Sequence, residues 1–298
     1  MKPLLVSLRP HEWTKNLLVF APLALSKHLF EPQPFLRALV AFTLFCGLSG
    51  TVYLVNDVVD VERDRLHPRK RLRPIASGVL SARKACVFAG LIGLSCLGAS
   101  FVLGPAFGLS ALAYLLLNLA YSFKLKEIVI VDAIALALGF VVRAVAGAVA
   151  IGVVFSAWLL ICTILLALFL TFCKRRHELT LLTDAASEHR KSLGEYSPYL
   201  LDQMIAVVTA SCLMAYASYT TAPETIEKFQ TDRLPWTIPF VLYGIFRYLY
   251  LVHRRELGGS PTDILLTDVP LILDVGLWAL TIVVIVYTAQ GAPMPLGR

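Results

Sequence analysis

Long apolar runs separated by short polar segments dominate this chain of 298 residues. A run of roughly 20 apolar residues is long enough to cross a bilayer as a helix. The stretch from Val131 to Cys173 is too long for one span, and it divides around Gly152–Ser156. Pro22 and Lys27 interrupt the first run, which makes it the weakest. The pattern predicts nine spans, at residues 17–33, 36–56, 85–103, 106–122, 128–151, 154–173, 200–220, 234–252 and 269–290.

Composition agrees with this pattern. Hydrophobic residues make up 57% of the chain and charged residues only 16%, whereas a soluble domain carries about 25% charged residues. We therefore expect an all-α integral membrane protein that forms one domain over residues 1–298. The net charge of +7 comes mainly from bases in the loops between apolar runs. This placement favours anionic lipid head groups or phosphorylated substrates over nucleic acid as partners.

The distribution of basic residues predicts the orientation. Of the 27 lysines and arginines, 20 fall on the side that includes the N-terminus and five on the opposite side. Cytoplasmic loops of membrane proteins carry such an excess of positive charge. We predict a multi-pass protein of the inner (plasma) membrane, with the N-terminus and the charged loops in the cytoplasm and the C-terminus outside. The six cysteines lie in or beside apolar runs without Cys-x-x-Cys spacing, which favours packing over metal binding or disulfides.

An acidic motif follows the second predicted span, where the chain reads NDVVDVERD. On a helix, aspartates spaced three and four residues apart place their carboxylates on one face. Such carboxylates repel one another unless a cation lies among them, and hard oxygen ligands suit Mg²⁺ bridged to substrate phosphates. Charge at the end of an apolar helix is costly and usually functional. The predicted metal ligands are Asn56, Asp57, Asp60 and Asp64.

Further charged residues suggest where phosphate groups would bind. Asp132 and Arg143 share the fifth predicted span but lie eleven residues apart, or about 16 Å along the axis, too far for a direct pair. We expect Asp132 to reach the active-site cavity, while Arg143 suits either substrate binding or helix packing. The consecutive bases Lys174, Arg175 and Arg176 suit phosphate binding or topology anchoring. They would point in three directions on a helix, so at most two can face one substrate.

The acidic motif resembles the first aspartate-rich motif of the UbiA superfamily of intramembrane prenyltransferases. The resemblance covers essentially the whole chain and implies a bundle of nine transmembrane helices with a lateral cavity that faces the lipid. It also implies that the motif holds Mg²⁺ on a diphosphate. The segment YSFKLK, from Tyr121 to Lys126, is similar to the family's stretch after the fourth helix. Catalytic roles are thereby implied for Asp57, Asp60, Asp64, Tyr121 and Lys126.

The second half departs from the family's aromatic prenyltransferases. Where those enzymes carry a second aspartate-rich motif after the sixth helix, this chain reads CKRRHELTLLTDAASEHRKSLGEYS, in which bases dominate. One diphosphate site with Mg²⁺ at the acidic motif and one basic site after the sixth helix imply two anionic substrates. Together with LRPHEWTKN, EYSPYLLDQM and SPTDILLTDVPL, this segment resembles the decaprenyl-phosphate phosphoribosyltransferase branch of the superfamily.

That branch implies an enzyme of cell wall biosynthesis that transfers 5-phosphoribose from phosphoribosyl diphosphate (PRPP) to a polyprenyl phosphate and releases diphosphate. Two alternatives stay open: a prenyl diphosphate:aromatic acceptor transferase of the 4-hydroxybenzoate type, and a lipid-phosphate carrier without catalysis. A carrier would more typically show repeated halves and broken helices. The expected partners are PRPP, polyprenyl phosphate, the bilayer and further copies of the chain, with a trimer as one option. The candidate substrate-binding residues are Lys15, Asn56, Lys70, Arg71, Arg73, Asp132, Arg143, Lys174, Arg175, Arg176, Glu178, Arg190 and Tyr196.

Overall fold

The computed structural model describes residues 2–66, 68, 70–182, 191–255 and 261–289. These residues are almost entirely helical, and no strand occurs among them. Shorter helices at Lys2–Ser7, Pro10–Phe20, Ala21–Leu25, Val61–Leu66, Pro223–Phe229 and Pro261–Thr267 connect or flank the long ones. The long helices are α1 (Pro32–Val59), α2 (Ala82–Leu103), α3 (Pro105–Phe123), α4 (Val131–Ile151), α5 (Ala157–Leu182), α6 (Pro198–Thr221), α7 (Ile238–Arg254) and α8 (Val269–Thr288).

The prediction of a multi-pass, all-helical membrane protein is confirmed, but the count of nine spans is not reproduced in full. Within the described part of the chain, seven helices are long and apolar enough to cross a bilayer. Helix α7 has 17 residues and carries Arg247, so it is not one of these seven helices. The first predicted span is a 3-10 helix, Pro10–Phe20, followed by the short helix Ala21–Leu25. Lys27 then adopts a positive φ of 65°, which a helix cannot continue through.

The predicted division of the long apolar stretch is confirmed. Helix α4 ends at Ile151, and Gly152 adopts the left-handed conformation that commonly ends helices. Helix α5 begins at Ala157 and runs to Leu182, well beyond the predicted end at 173. The basic run at 174–176, expected in the loop after the sixth span, therefore lies on the helix itself. Acid–base pairs spaced three and four residues apart, such as Arg175 with Glu178, stabilise this extension.

The helices pack so that the charged ends of α1, α3, α4 and α5 converge. Helix α1 packs on α2 and α3, α4 packs on α3 and α5, and α6 packs on α5. The N-terminal 3-10 helix lies against α1 and α4, and Gly147 makes this approach possible. A Cβ atom at Gly147 would lie only 2.2 Å from the carbonyl oxygen of Val19. The N-terminal segment thereby forms one wall of the cavity described next.

Candidate active site

A polar cavity of about 220 Å³ lies between the N-terminal segment and helices α1, α3, α4 and α5. We call it the polar cavity. Its lining combines carboxylates, amides, tyrosines and bases, and it includes ten of the residues predicted to form the site. Those ten are Lys15, Asn56, Asp60, Lys70, Arg73, Tyr121, Arg143, Lys174, Arg175 and Glu178.

The acidic motif sits where α1 ends, and bases surround its carboxylates. Asp57 lies in the last turn of α1 and is only 1% exposed. Its Oδ1 accepts hydrogen bonds from Arg9 at 2.5 Å and from Arg73 at 3.1 Å. The same guanidinium nitrogen of Arg73 donates to Asp64 Oδ2 at 2.6 Å. Arg73 thus bridges two aspartates of the motif.

Asp60 pairs with a different base. It caps α1 with φ −94° and ψ 8°, which interrupts the helix between Asp57 and Asp64. Its Oδ1 lies 2.6 Å from the ammonium of Lys126, which is buried. Although α1 ends at Asp60, the backbone bonds from Asp60 N to Asn56 O and from Asp64 N to Asp60 O continue the i,i+4 pattern through it, so a shared face stays a prediction. Lys126, whose catalytic role the resemblance implies, contacts the motif.

The donor set fits a divalent cation that is shared with a substrate. Asn56 and Asp60 line the polar cavity, and Asp57 Oδ2 is buried without a hydrogen-bond partner among the described residues. No three acid, histidine or cysteine side chains of the described chain already converge as a metal cage. Mg²⁺ typically uses one or two carboxylates together with substrate phosphates. These residues suit such a shared site better than a closed one.

A second charged cluster lies deeper between α4 and α5. The guanidinium of Arg175 is 1% exposed and donates from Nε to Asp132 Oδ2 at 2.8 Å. It also pairs closely with Glu178 and donates to the hydroxyl of Tyr121 at 3.3 Å. Asp132 is fully buried. Arg175, predicted to bind phosphate, is therefore already held by two carboxylates.

Tyr196 anchors this cluster from the segment before α6. Its hydroxyl donates to Asp132 Oδ1 at 3.0 Å and accepts from the backbone N–H of Ile130 at 2.7 Å. Ile130 has a positive φ of 67°, which is unusual for a β-branched residue. Burial, together with the nearby Asp132, raises the pKa of Tyr196 to about 12. Tyr196 therefore stays a hydrogen-bond donor at neutral pH, behind the cavity wall.

The basic run on α5 separates as its helical spacing predicts. Lys174 and Arg175 line the polar cavity, whereas Arg176 does not. Arg176 Nε instead lies 2.5 Å from Asp202 Oδ1 on α6. Arg71 is exposed and is likewise absent from the cavity lining. Arg176 and Arg71 therefore lie away from the polar cavity, their contact with substrate stays a prediction, and Arg190 lies outside the described residues.

Arg143 occupies the deep end of the polar cavity. It donates to Asn16 Oδ1 at 2.8 Å, to the carbonyl of Gly139 at 2.9 Å and to the hydroxyl of Tyr114 at 2.7 Å. No carboxylate in the described part of the chain forms an ion pair with it. All of these partners are neutral, so a buried positive charge faces the cavity without a compensating acid.

Several residues of the site were missed from the sequence. Arg9 adopts a left-handed conformation with φ 51° and reaches Asp57. Glu12 lies 2.6 Å from Lys15. Burial would raise the pKa of Glu12, but the charge and hydrogen bond of Lys15, together with the charges of Lys174 and His11, lower the pKa below its usual value. Tyr53 and Asn118 also line the cavity. The segment LRPHEWTKN carries part of the family resemblance, and Lys15 is its one residue that the sequence predicts for the site.

Comparison with known proteins places these features in a family. The model described as the UbiA prenyltransferase family matches residues 17–261. The decaprenyl-phosphate phosphoribosyltransferase of Corynebacterium glutamicum is 36% identical over 94% of this chain and 86% of that protein. The enzyme of the same name from Mycobacterium tuberculosis is 33% identical over 93% of this chain and 91% of its own.

A solved structure shows the same fold. The UbiA homologue from Archaeoglobus fulgidus bound to GPP and Mg²⁺ superposes with a TM-score of 0.73 at 19% sequence identity. The alignment covers 96% of this chain and 99% of that one. The helical architecture agrees with the family match, which extends over most of the sequence. The chain belongs to the UbiA prenyltransferase family.

Proposed function

We propose that this protein transfers 5-phosphoribose from PRPP to a polyprenyl phosphate and releases diphosphate. The observation that carries the proposal is the charge of the polar cavity. Bases surround the acidic motif, and two further bases, Arg143 and Lys174, line the same cavity away from it. Two phosphorylated substrates need cationic groups at separate places, whereas a neutral acceptor would not. The names of the bacterial relatives support this substrate pair.

The diphosphate of PRPP would bind at the acidic motif. Asn56, Asp57 and Asp60 would hold Mg²⁺, which supplies charge neutralisation for the departing diphosphate. Lys70 and Arg73 line the cavity beside this motif. Their side chains can donate charge-assisted hydrogen bonds to the diphosphate oxygens.

The proposed reaction exchanges one C–O bond for another. The bond between the anomeric carbon of ribose and the diphosphate oxygen breaks, and the electron pair leaves with the diphosphate. An oxygen of the lipid phosphate forms the new bond to the anomeric carbon. Because this phosphate is already an anion near neutral pH, the step requires no strong general base. Lysine and arginine cations near the diphosphate stabilise the negative charge that develops on it.

The second phosphate group would bind to Lys174 and Arg143. Arg175 is already paired with Asp132 and Glu178, so we assign it a positioning role. Lys174 lines the same cavity with a side chain that is 37% exposed, so an anion can reach it. The hydrogen-bond partners of Arg143 among the described residues are all neutral. An anionic ligand in this cavity would compensate the buried charge of Arg143.

We propose an inner-membrane location with the polar cavity open to the cytoplasm. The excess of bases on the N-terminal side supports this orientation. PRPP is water-soluble and would enter from that side, whereas the polyprenyl phosphate would arrive from the bilayer. Assembly into a homo-oligomer stays a prediction.

Substrate discrimination tests the proposal against the aromatic prenyltransferase alternative. Purified protein with Mg²⁺ is given either PRPP and a polyprenyl phosphate, or a prenyl diphosphate and 4-hydroxybenzoate. We expect lipid-linked product only from the first pair. A Lys174→Ala variant should raise the KM for PRPP much more than the KM for the lipid, whereas Arg83→Ala, a change at an exposed base of α2 outside the cavity, should change neither. Prenylated aromatic acid without lipid-linked phosphoribose would favour the alternative.

A further inference from the structure

A second cavity lies between α5, α7 and α8. It has a volume of about 290 Å³ and is lined almost entirely by apolar side chains. We call it the apolar cavity. Among the described residues, no side chain lines both this cavity and the polar cavity. Its size is near the lower end of the range for small-molecule sites.

Two polar side chains that line the apolar cavity have no hydrogen-bond or ion-pair partner among the described residues. Asp274 of α8 is 9% exposed, and no hydrogen bond or ion pair joins it to any other part of the described chain. Tyr248 of α7 also lines the cavity, and its hydroxyl is buried without a hydrogen-bond partner in the same residues. Its ring packs against Phe169, with the centroids 5.4 Å apart. Buried polar groups without partners are costly, so both point to a ligand.

Local packing explains why Asp274 stays unpaired. Its Oδ2 approaches the backbone of Gly244 so closely that a Cβ atom there would lie 2.8 Å away. Arg247, which follows one turn later on α7, donates to both carboxylate oxygens of Asp268, at 3.1 and 2.8 Å. That base is therefore already engaged. The carboxyl group of Asp274 faces an apolar space without a counter-charge.

The depth of the two groups indicates a ligand from the bilayer. Asp274 lies five residues after α8 begins, and Tyr248 lies six residues before α7 ends. At ~1.5 Å rise per residue, both groups sit roughly 8 Å from the helix ends on the same side. This is about the level at which head groups give way to hydrocarbon. A ligand with its polar end at this depth would be an amphiphile.

We propose that the apolar cavity binds a long-chain alcohol through its hydroxyl group. A hydroxyl has one donor and two acceptor positions, so it can bond Asp274 and accept from Tyr248 at once. The ligand hydroxyl can donate to a charged Asp274 and can accept from a protonated one, so the hydrogen bond forms in either state. An ammonium group could not accept from Tyr248, and a plain hydrocarbon would satisfy neither residue. The apolar lining then holds the first part of the chain.

Photolabelling tests this binding without PRPP, so its result is independent of the proposed reaction. Full-length protein in lipid nanodiscs is exposed to a photoreactive geranylgeraniol analogue or to the same chain ending in a methyl group. We expect the alcohol to label peptides of α7 and α8 about tenfold more strongly than the hydrocarbon. Asp274→Leu and Tyr248→Phe should each remove most of this difference, while Asp274→Asn, which still donates and accepts, should keep most of it.

Controls separate loss of binding from loss of folding. Tyr243→Phe changes an exposed tyrosine of α7 that does not line the cavity, and it should label like the unmodified protein. Tyr248→Phe removes a single oxygen and keeps the ring, so it provides the test if Asp274→Leu fails to fold. Equal labelling by alcohol and hydrocarbon would overturn the proposal. So would labelling only at the polar cavity, or crosslinks only between two copies of the chain at this cavity.

Discussion

Replacing Arg175 with alanine should lower the stability of the protein, in addition to any effect on substrate binding. The guanidinium of Arg175 is 1% exposed, and its main acidic partner Asp132 is fully buried at 2.8 Å. The substitution removes the guanidinium that donates to Asp132 Oδ2. Removing one partner of such a buried pair costs about 3–5 kcal/mol, because the remaining charge loses its counter-charge.

The neighbouring base gives a matched comparison. Lys174 lies next to Arg175 on α5, but its side chain is 37% exposed, so water screens its charge. An ion pair at such an exposed side chain contributes at most about 1 kcal/mol. Each kcal/mol moves the midpoint of thermal unfolding by about 2–4 °C in a protein of 150–250 residues. We therefore expect Arg175→Ala to lower Tm by roughly 6–20 °C and Lys174→Ala by no more than about 4 °C.

The assay is thermal unfolding of the full-length protein in one detergent at one heating rate, together with the KM for PRPP. A double variant with Arg175→Met and Asp132→Leu should recover part of the lost stability, because it removes both buried charges. An unchanged Tm in Arg175→Ala, with a raised KM for PRPP alone, would refute the reasoning. Arg175 would then be a substrate ligand rather than the centre of a structural cluster.

Three further predictions concern the metal, the strained turn and the orientation. Asp57→Asn should abolish Mg²⁺-dependent turnover while the protein stays folded. The control Glu62→Gln, at a side chain that is 79% exposed, should leave turnover unchanged. Near-normal turnover by Asp57→Asn at ordinary Mg²⁺ concentration would exclude Asp57 as a metal ligand. Tyr196→Phe should lower the free energy of unfolding by about 1–3 kcal/mol, because it leaves Asp132 and the backbone N–H at residue 130 without their hydroxyl partner, and thermal unfolding that matches the unmodified protein would contradict this. In a variant without native cysteines, Glu62→Cys should react with an impermeant thiol reagent only from the cytoplasm and Glu227→Cys only from outside; the reverse pattern would overturn the orientation.

The spans were predictable because bilayer thickness imposes a length that apolar runs reveal directly. The break after α4 followed from an apolar stretch too long for one span, with Gly152 at its centre. The first span was harder. Its residues are apolar, but Pro22 and the positive φ of Lys27 divide it into short helices. Composition can indicate burial in the membrane without indicating a continuous helix.

Local spacing predicted part of the site, but contacts between helices were not predictable. The spread of the bases at 174–176 follows from positions within one helix, whereas the acidic motif is a regular spacing of aspartates that runs from the end of α1 into the next short helix. The pair of Asp132 with Arg175 depends on how α4 and α5 align, and the two residues are 43 positions apart. Arg9 was missed because it reaches Asp57 from a left-handed turn, 48 positions away. Sequence spacing carries no information about either contact.

The position of the label in the product tests the proposed reaction most directly. Purified protein is incubated with Mg²⁺, a polyprenyl phosphate, and PRPP labelled with ³²P either on the 5-phosphate or on the diphosphate. We predict that label from the 5-phosphate enters the lipid, while label from the diphosphate is released quantitatively as free diphosphate. Lipid that carries label from the diphosphate, or that carries none from the 5-phosphate, would contradict phosphoribosyl transfer.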